Sequence, residues 1–373
     1  MGSAPIDHAD HARLPAQSVA RPPQFVLLAF DNCQENQTWK EVTEFLQDMN
    51  SSDRNRLRFT FFLSGVALLK HDARAAYTEP TGRKGVSRIN FGGTEAELLE
   101  RISRINKLYK DGNEIASHAV GHFDGGKWTT EMWRHEFDQY NRILNNVADV
   151  NGLQGEARKR ARLEFGPRDM LGFRAPYLAG GANLLRTLMS FGFAYDTSDT
   201  NQGWEPTTWP RRSVVDGKAG PWNFGLGFIP VPGLTTKIPA MDYNFCYRQG
   251  GGCPEKYPDA LNRAESDSSD MLTAYYNYFL LNYNGNRAPV HIGHHFQPYR
   301  GGAYNRALKR FARTVCSLPE VRCVTYQTLT KYMNELPTGA RDAFQSNKFP
   351  RSTYRPTLQD LYDRTEWPRA LPN

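Results

Sequence analysis

Two histidines four residues apart, His118 and His122 in Ser117-His118-Ala119-Val120-Gly121-His122, are the side chains of this sequence best suited to hold a cation. Imidazoles at i and i+4 converge on one ion where the segment makes a helical turn. Neutral imidazole suits Zn²⁺ and similar borderline ions. A lone His-x3-His arises often by chance, so three further segments matter. Phe25-Val26-Leu27-Leu28-Ala29-Phe30, then Asp31-Asn32, sets a carboxylate at the end of a short apolar run. In parallel α/β architectures polar chemistry gathers at the carboxyl ends of such strands, although an aspartate there also caps turns. Gly172-Phe173-Arg174-Ala175-Pro176-Tyr177-Leu178 places an arginine before a Pro-fixed backbone and the turn Ala179-Gly180-Gly181. Arg174 is either an anion's partner or an ordinary surface charge. Pro289-Val290-His291-Ile292-Gly293-His294-His295 reads as a strand ending in histidines, which supplies a general acid or a satisfied polar cluster.

In this order the four segments resemble those of the polysaccharide deacetylase family, the NodB-homology or carbohydrate esterase family 4 enzymes, and above all its chitin-deacetylase-like branch. Asn286-Arg287-Ala288-Pro289 precedes the histidine strand as in that branch, and Arg-Ala-Pro-Tyr-Leu is followed by the branch's Gly-Gly. Tyr195-Asp196-Thr197-Ser198 stands where the branch has Tyr-Asp-Ser-Ser, Trp209-Pro210 where it has Trp-Pro, and Thr60-Phe61-Phe62 matches a family strand. The likeness spans roughly residues 22–335. It implies an α/β fold, a distorted, incomplete (β/α)7 barrel with an open groove. It also implies removal of N-acetyl groups from an acetylated amino-sugar polysaccharide, chitin-like or peptidoglycan, with Zn²⁺ or another divalent transition metal such as Co²⁺.

The resemblance assigns roles residue by residue. His118 and His122 are metal ligands, Asp31 is the base that takes a proton from water, and Arg174 orients that base and keeps it ionised. The backbone N–H of Tyr177 faces the oxyanion, and a histidine of the last motif protonates the departing amine. Gap-free alignment from Asn286 puts His295 there. His294 is its rival, because Ile292-x-His294 keeps the family's Leu-x-His pattern, and neighbours on a strand point to opposite faces. Asp196, ahead of Asp199, is expected to orient that histidine; both also suit the turn Asp-Thr-Ser-Asp.

One position departs from the family. Two consecutive aspartates follow the family's first strand, and the second is an anionic metal ligand; here it is Asn32. An amide oxygen coordinates without negative charge, which loosens the hold on a cation. Asn32 is read as a weak third ligand. The alternatives are a carbohydrate-binding pseudoenzyme with an empty two-histidine site, and an O-acetyl esterase acting on acetylated polysaccharide.

The elements that must position these residues alternate in a strand-then-helix order. Strand Phe25–Phe30 is followed by a helix over Trp39–Leu46 and a strand over Arg58–Leu63. Residues 70–93 form a Gly- and charge-rich insertion over one rim. Thr94-Glu95-Ala96-Glu97 is a capping box opening a helix with Leu98, Leu99, Ile102, Ile105 and Leu108 on one face, ended at Gly112. A second helix carries Trp133, Phe137, Tyr140, Leu144 and Val147. Residues 203–253, rich in Gly, Pro and Trp, are expected as an irregular rim of the groove, where Trp204, Trp209, Trp222 and Phe228 either stack on sugars or pack. Helix Ala303–Val315, strand Val321–Tyr326 and helix Gln327–Leu336 close a catalytic domain over 22–336. Residues 1–21 read as a polar arm and 337–373 as a tail that wraps the surface or is partly mobile.

Composition bounds the rest. A chain of 373 residues suffices for one large domain with extensions. The formal charge of +7 mildly favours acidic wall or envelope polymers, but the Lys and Arg residues are scattered and no nucleic-acid module is visible. No run reaches the length of a membrane span. Cys246 with Cys253 and Cys316 with Cys323 each suit a short disulfide loop, which points to a secreted, periplasmic or cell-envelope protein, with the start Met1-Gly2-Ser3 read as replacing a natural leader. Four cysteines as a zinc site fit less well, since neither pair has Cys-x2-Cys spacing. Cys33 is left as a buried thiol or a soft extra ligand beside Asn32.

Overall fold

The structure, a computed structural model, describes residues 19–51, 56–199, 205–248, 253 and 263–365. Its first strand, β1 (Gln24–Asn32), is buried at all nine positions. That follows from an unbroken apolar run, which suits a parallel strand covered on both faces. The chain then adds β2 (Phe59–Leu63), β3 (Glu114–Ser117), β4 (Gly172–Phe173), β5 (Tyr195–Asp196), β6 (Arg211–Val215) and β7 (Lys218–Asn223). A small ribbon of β8 (Phe228–Ile229) and β9 (Ile238–Pro239) precedes β10 (Val290–His295) and β11 (Val321–Cys323). The sheet runs β10-β1-β2-β3-β4-β5-β7-β6, with β11 beside the start of β1. Every pairing in it is parallel except β6 with β7. Seven parallel strands from β10 to β7 thus curl into a barrel that stays open, as the resemblance implied.

The period of two splits the core. Val26, Leu28 and Phe30 face a large apolar cluster shared with the surrounding helices. Phe25, Leu27 and Ala29 face a smaller one, with Phe62, Ala116, Tyr195 and Tyr326, on the inner side of the curl. Asp31 continues the inner row. The helix Glu95–Lys110 opens with the expected box: Thr94 Oγ1 accepts from the Glu97 N–H, and the Glu97 carboxylate accepts from the Thr94 N–H. It buries Leu98, Leu99, Ile102, Ile105 and Leu108. The helix Thr130–Asn145 buries Trp133, Phe137, Tyr140 and Leu144, while Val147 belongs to the next short helix.

Two expectations are corrected. The segment 118–122 is not a helical turn but a loop after β3, with Ala119 and His122 at φ of 57° and 56°. Residues 203–253 are not simply irregular. They supply the antiparallel pair β6–β7, the ribbon β8–β9 and the helix Asp242–Tyr247, and Met241 bridges in parallel to Gly293 on the free side of β10. The described part of the tail packs against the body. Phe344 is buried with its ring 5.0 Å from that of Trp209, and Tyr362 lies against Tyr276 of the helix Ala264–Tyr283 at 5.4 Å. Of the N-terminal arm, residues 1–18 lie outside the described residues, and Arg21 is held by Glu320 at 3.1 Å. Both cysteine pairings form as expected. No helix among the described residues is long and apolar enough to cross a membrane.

Candidate active site

Parallel strands bring their carboxyl ends to one rim, and the register decides which side chains meet there. Asp31 lies opposite His295, and Leu63 opposite both Asn32 and Ser117, the residue before His118. Ser117 in turn lies opposite Phe173, the residue before Arg174. Asp31, Asn32, His118, His122, Tyr177 and His295 accordingly line one cleft of about 520 Å³.

Within it, Arg174 organises two neighbours. Its Nη1 donates to Asp31 Oδ1 at 2.7 Å, with both side chains buried, and its backbone oxygen accepts from His118 Nδ1 at 2.7 Å. Nε donates to Thr197 Oγ1 at 2.7 Å, and the guanidinium lies 4.2 Å over the Phe62 ring. Burial alone pushes the Asp31 carboxyl up, but the Arg174 charge and its hydrogen bond, with the charge of His295, hold it below its usual range. Asp31 is therefore an ionised carboxylate fixed by a charge-assisted bond.

The His118 bond through Nδ1 fixes the tautomer that leaves Nε2 a bare lone pair. That Nε2 is buried without a hydrogen-bond partner, as are His122 Nδ1 and Asn32 Oδ1. Buried polar atoms rarely go unpaired, so three in one cleft mark a place for something to bind. Burial lowers His118 to about 4 and His122 to about 3, which keeps both imidazoles neutral and their nitrogens free to ligate. The two rings are 5.1 Å apart. Asn32 sits at φ 71°, a left-handed conformation that Asn tolerates better than most residues. Among the described residues no three His, Cys, Asp or Glu side chains gather as a metal cluster; the third unpaired atom belongs to an amide.

The polysaccharide deacetylase family model matches residues 18–153, the stretch that carries Asp31, Asn32, His118 and His122. Over that stretch, about a third of its length, the chain is similar to the polysaccharide deacetylase family. No curated protein matches it. Among solved structures, a putative polysaccharide deacetylase from Mycobacterium smegmatis is 14% identical, over 96% of this chain and 99% of that one, with a TM-score of 0.49. The Xyl-CE4 domain of a multidomain xylanase from the hindgut metagenome of Trinervitermes trinervoides is 12% identical over 84% and 93%, with a TM-score of 0.41. A family 4 carbohydrate esterase from Streptomyces lividans, in complex with acetate, is 11% identical over 78% and 88%, with a TM-score of 0.36.

The last histidine motif divides by strand face. His295 opens to the cleft, whereas His294 is fully buried, 3.0 Å from Tyr275 Oη and 3.3 Å from Asn305 Oδ1. The carboxylate that holds His295 is not Asp196. Asp242, at the start of the helix Asp242–Tyr247, accepts from His295 Nδ1 at 2.7 Å and from its backbone N–H at 2.8 Å. Asp196 Oδ1 instead accepts from the Ser198 hydroxyl and N–H, and Ser198 Oγ accepts from the Ala175 N–H at 2.8 Å. It braces the strand end beyond Arg174. Asp199 is bonded to Asn223. Burial works against a charge on His295, but Asp242, by its charge and its hydrogen bond, outweighs it and raises the imidazole above its usual value.

Other expectations shift with the packing. Cys33 is no ligand: its thiol contacts the carbonyls of Phe30 and Phe62 in the core, and burial pushes its pKa well up. Trp209 is buried, Trp222 stacks beneath Arg212 at 4.7 Å, Phe228 lies in β8, and Trp204 lies outside the described residues. The cleft's aromatics are Tyr177, Tyr243 and Tyr299, with Tyr247 beside Tyr243 at 4.3 Å. For Tyr243 and Tyr247 the sequence signal was the aromatic run Tyr243-Asn244-Phe245-Cys246-Tyr247.

Proposed function

We propose that this protein is a metal-dependent hydrolase that removes N-acetyl groups from an acetylated amino-sugar polysaccharide. The observation that carries the reading is the set of unpaired buried atoms on Asn32, His118 and His122, in one cleft with an ionised Asp31 and a His295 whose imidazole Asp242 raises above its usual value. Those three side chains are a fitting donor set for a divalent cation, Zn²⁺ or Co²⁺. Such a cation, when bound, lowers the pKa of a water and draws charge from an acetyl carbonyl.

The protein's own groups do the rest. Asp31, held ionised by Arg174, takes a proton from the attacking water as its oxygen adds to the carbonyl carbon. The Tyr177 N–H, turned by φ 57° at the cleft, supplies a donor for the oxyanion. The C–N bond then breaks, and His295 passes its proton to the nitrogen, so that acetate and a free amine result. Exposed Tyr177 and Tyr243 offer faces for sugar rings.

The leaving group gives the test. An amine departs poorly as an anion, whereas an alkoxide is far less demanding. His295→Ala should cut acetate release from an N-acetyl oligosaccharide by roughly 10²–10⁴-fold, the usual span for a general acid, and release from an O-acetylated xylan by much less. Equal losses on both substrates, or faster wild-type turnover of the ester, would favour an O-acetyl esterase.

A further inference from the structure

The loop between the two imidazoles adopts a backbone that its own residues do not favour. Ala119 and His122 lie in the left-handed region on either side of Val120-Gly121. Gly121 has no room for a side chain, since a Cβ would come within 2.7 Å of Tyr77 and Phe123. Neighbours tie down the loop's carbonyls: Gly65 N donates to Ala119 O at 2.9 Å, Val66 N to Val120 O at 3.2 Å, and Arg88 N to Gly121 O at 2.9 Å. The N–H groups of Val120 and Gly121 converge on one atom, Glu136 Oε1, at 2.8 and 3.2 Å. The other carboxylate oxygen accepts from Tyr77 Oη at 2.8 Å. Glu136 is fully buried on the helix Thr130–Asn145, and a carboxylate is costly to bury unless donors surround it.

We propose that Glu136 is a positioning residue for the candidate metal site: it fixes the turn that sets the separation and aim of His118 and His122. Through Tyr77, Ser87 and Arg88 the 70–93 insertion becomes part of the scaffold of that site, not only a rim over the groove. The proposal rests on reading His118 and His122 as ligands for its affinity readout, and on geometry alone for its second readout. A glutamine at 136 keeps one oxygen for both N–H groups and can turn its amide towards Tyr77 Oη; a methionine of similar length offers neither.

The test compares Glu136→Met, Glu136→Gln and the distant core variant Leu308→Ala with the unaltered protein. It measures the dissociation constant for Zn²⁺ by competition with a chromophoric chelator, and the imidazole ¹⁵N shifts of His118 and His122 in metal-free protein. Glu136→Met should weaken Zn²⁺ at least tenfold and move both imidazole signals. Glu136→Gln should stay within threefold with the signals in place, and Leu308→Ala should match the unaltered protein. Unchanged affinity and shifts in Glu136→Met, or the same losses in Leu308→Ala, would overturn the proposal. If Glu136→Met does not fold, Tyr77→Phe decides in its place: a several-fold weaker Zn²⁺ constant with moved signals supports the proposal, and no change refutes it. If the unaltered protein takes up no Zn²⁺, the metal reading fails, and the metal-free shifts alone decide the role of Glu136.

Discussion

Asn32 is the residue on which chemistry and sequence pull apart most. Its oxygen is buried, unpaired and inside the cleft, yet it brings no charge to a cation. The left-handed backbone there is open to Asp almost as readily as to Asn, so Asn32→Asp tests charge with little change in shape. It should tighten Zn²⁺ by about tenfold or more, since a gain of ~1.4 kcal/mol is a modest effect for a charge in a partly buried site. An unchanged constant in a calorimetric titration would mean that Asn32 does not ligate. At this scale Asp31, Arg174 and His295 were reached through the resemblance of their local motifs, and the fold brings all three to one rim. Asp242 was not so reached. It reaches His295 across 53 positions only because Met241 bridges to Gly293, and nothing in its own neighbourhood distinguishes it from a helix-starting aspartate.

Elements were legible in proportion to their length. The nine-residue β1 and the capped helix Glu95–Lys110 carry enough repeats for periodicity to show. The two-residue strands β4 and β5 carry none, and they are placed by what surrounds them. The pair β6–β7 alternates over only a few residues around Gly217 and Pro221, which read as breakers. The join of β4 and β5 also makes a pH prediction. Burial raises the Asp196 carboxyl from 3.8 to about 6. Between these values the native state holds a proton that the unfolded chain has lost, so the contribution of Asp196 to stability falls as pH rises through that window. Asp196→Asn keeps an oxygen for Ser198 and removes the titration. The buried neutral imidazoles of His118 and His122 contribute the opposite, rising slope, so urea unfolding at several pH values between 4 and 6 should show stability rising with pH more steeply in Asp196→Asn than in the unaltered protein. Identical slopes would contradict the buried titration.

At the scale of the molecule, the open barrel is completed by chain that the sequence alone left loose. Tyr326 and the tail fill the inner face of the sheet with Phe344, Phe349 and Trp209. The Trp209 N–H donates to Gln345 at 2.7 Å. The tail's few apolar residues, spaced among Pro and charged residues, give no period, and only the fold shows them sharing one pocket. Phe344→Ala should cost about 3–5 kcal/mol by chemical denaturation, as removal of a buried ring does; a loss under about 1 kcal/mol would mean the tail is dispensable. The proposed hydrolase depends on one arrangement: the ends of β1 and β3 meeting around a cation with Asp31 beside it. Acetate release from N-acetyl amino-sugar oligomers, measured before chelation, after it and after returning one equivalent of Zn²⁺ or Co²⁺, tests that arrangement most directly. The arrangement predicts loss on chelation and recovery on return, whereas release that ignores the chelator, or none with the metal restored, would contradict it.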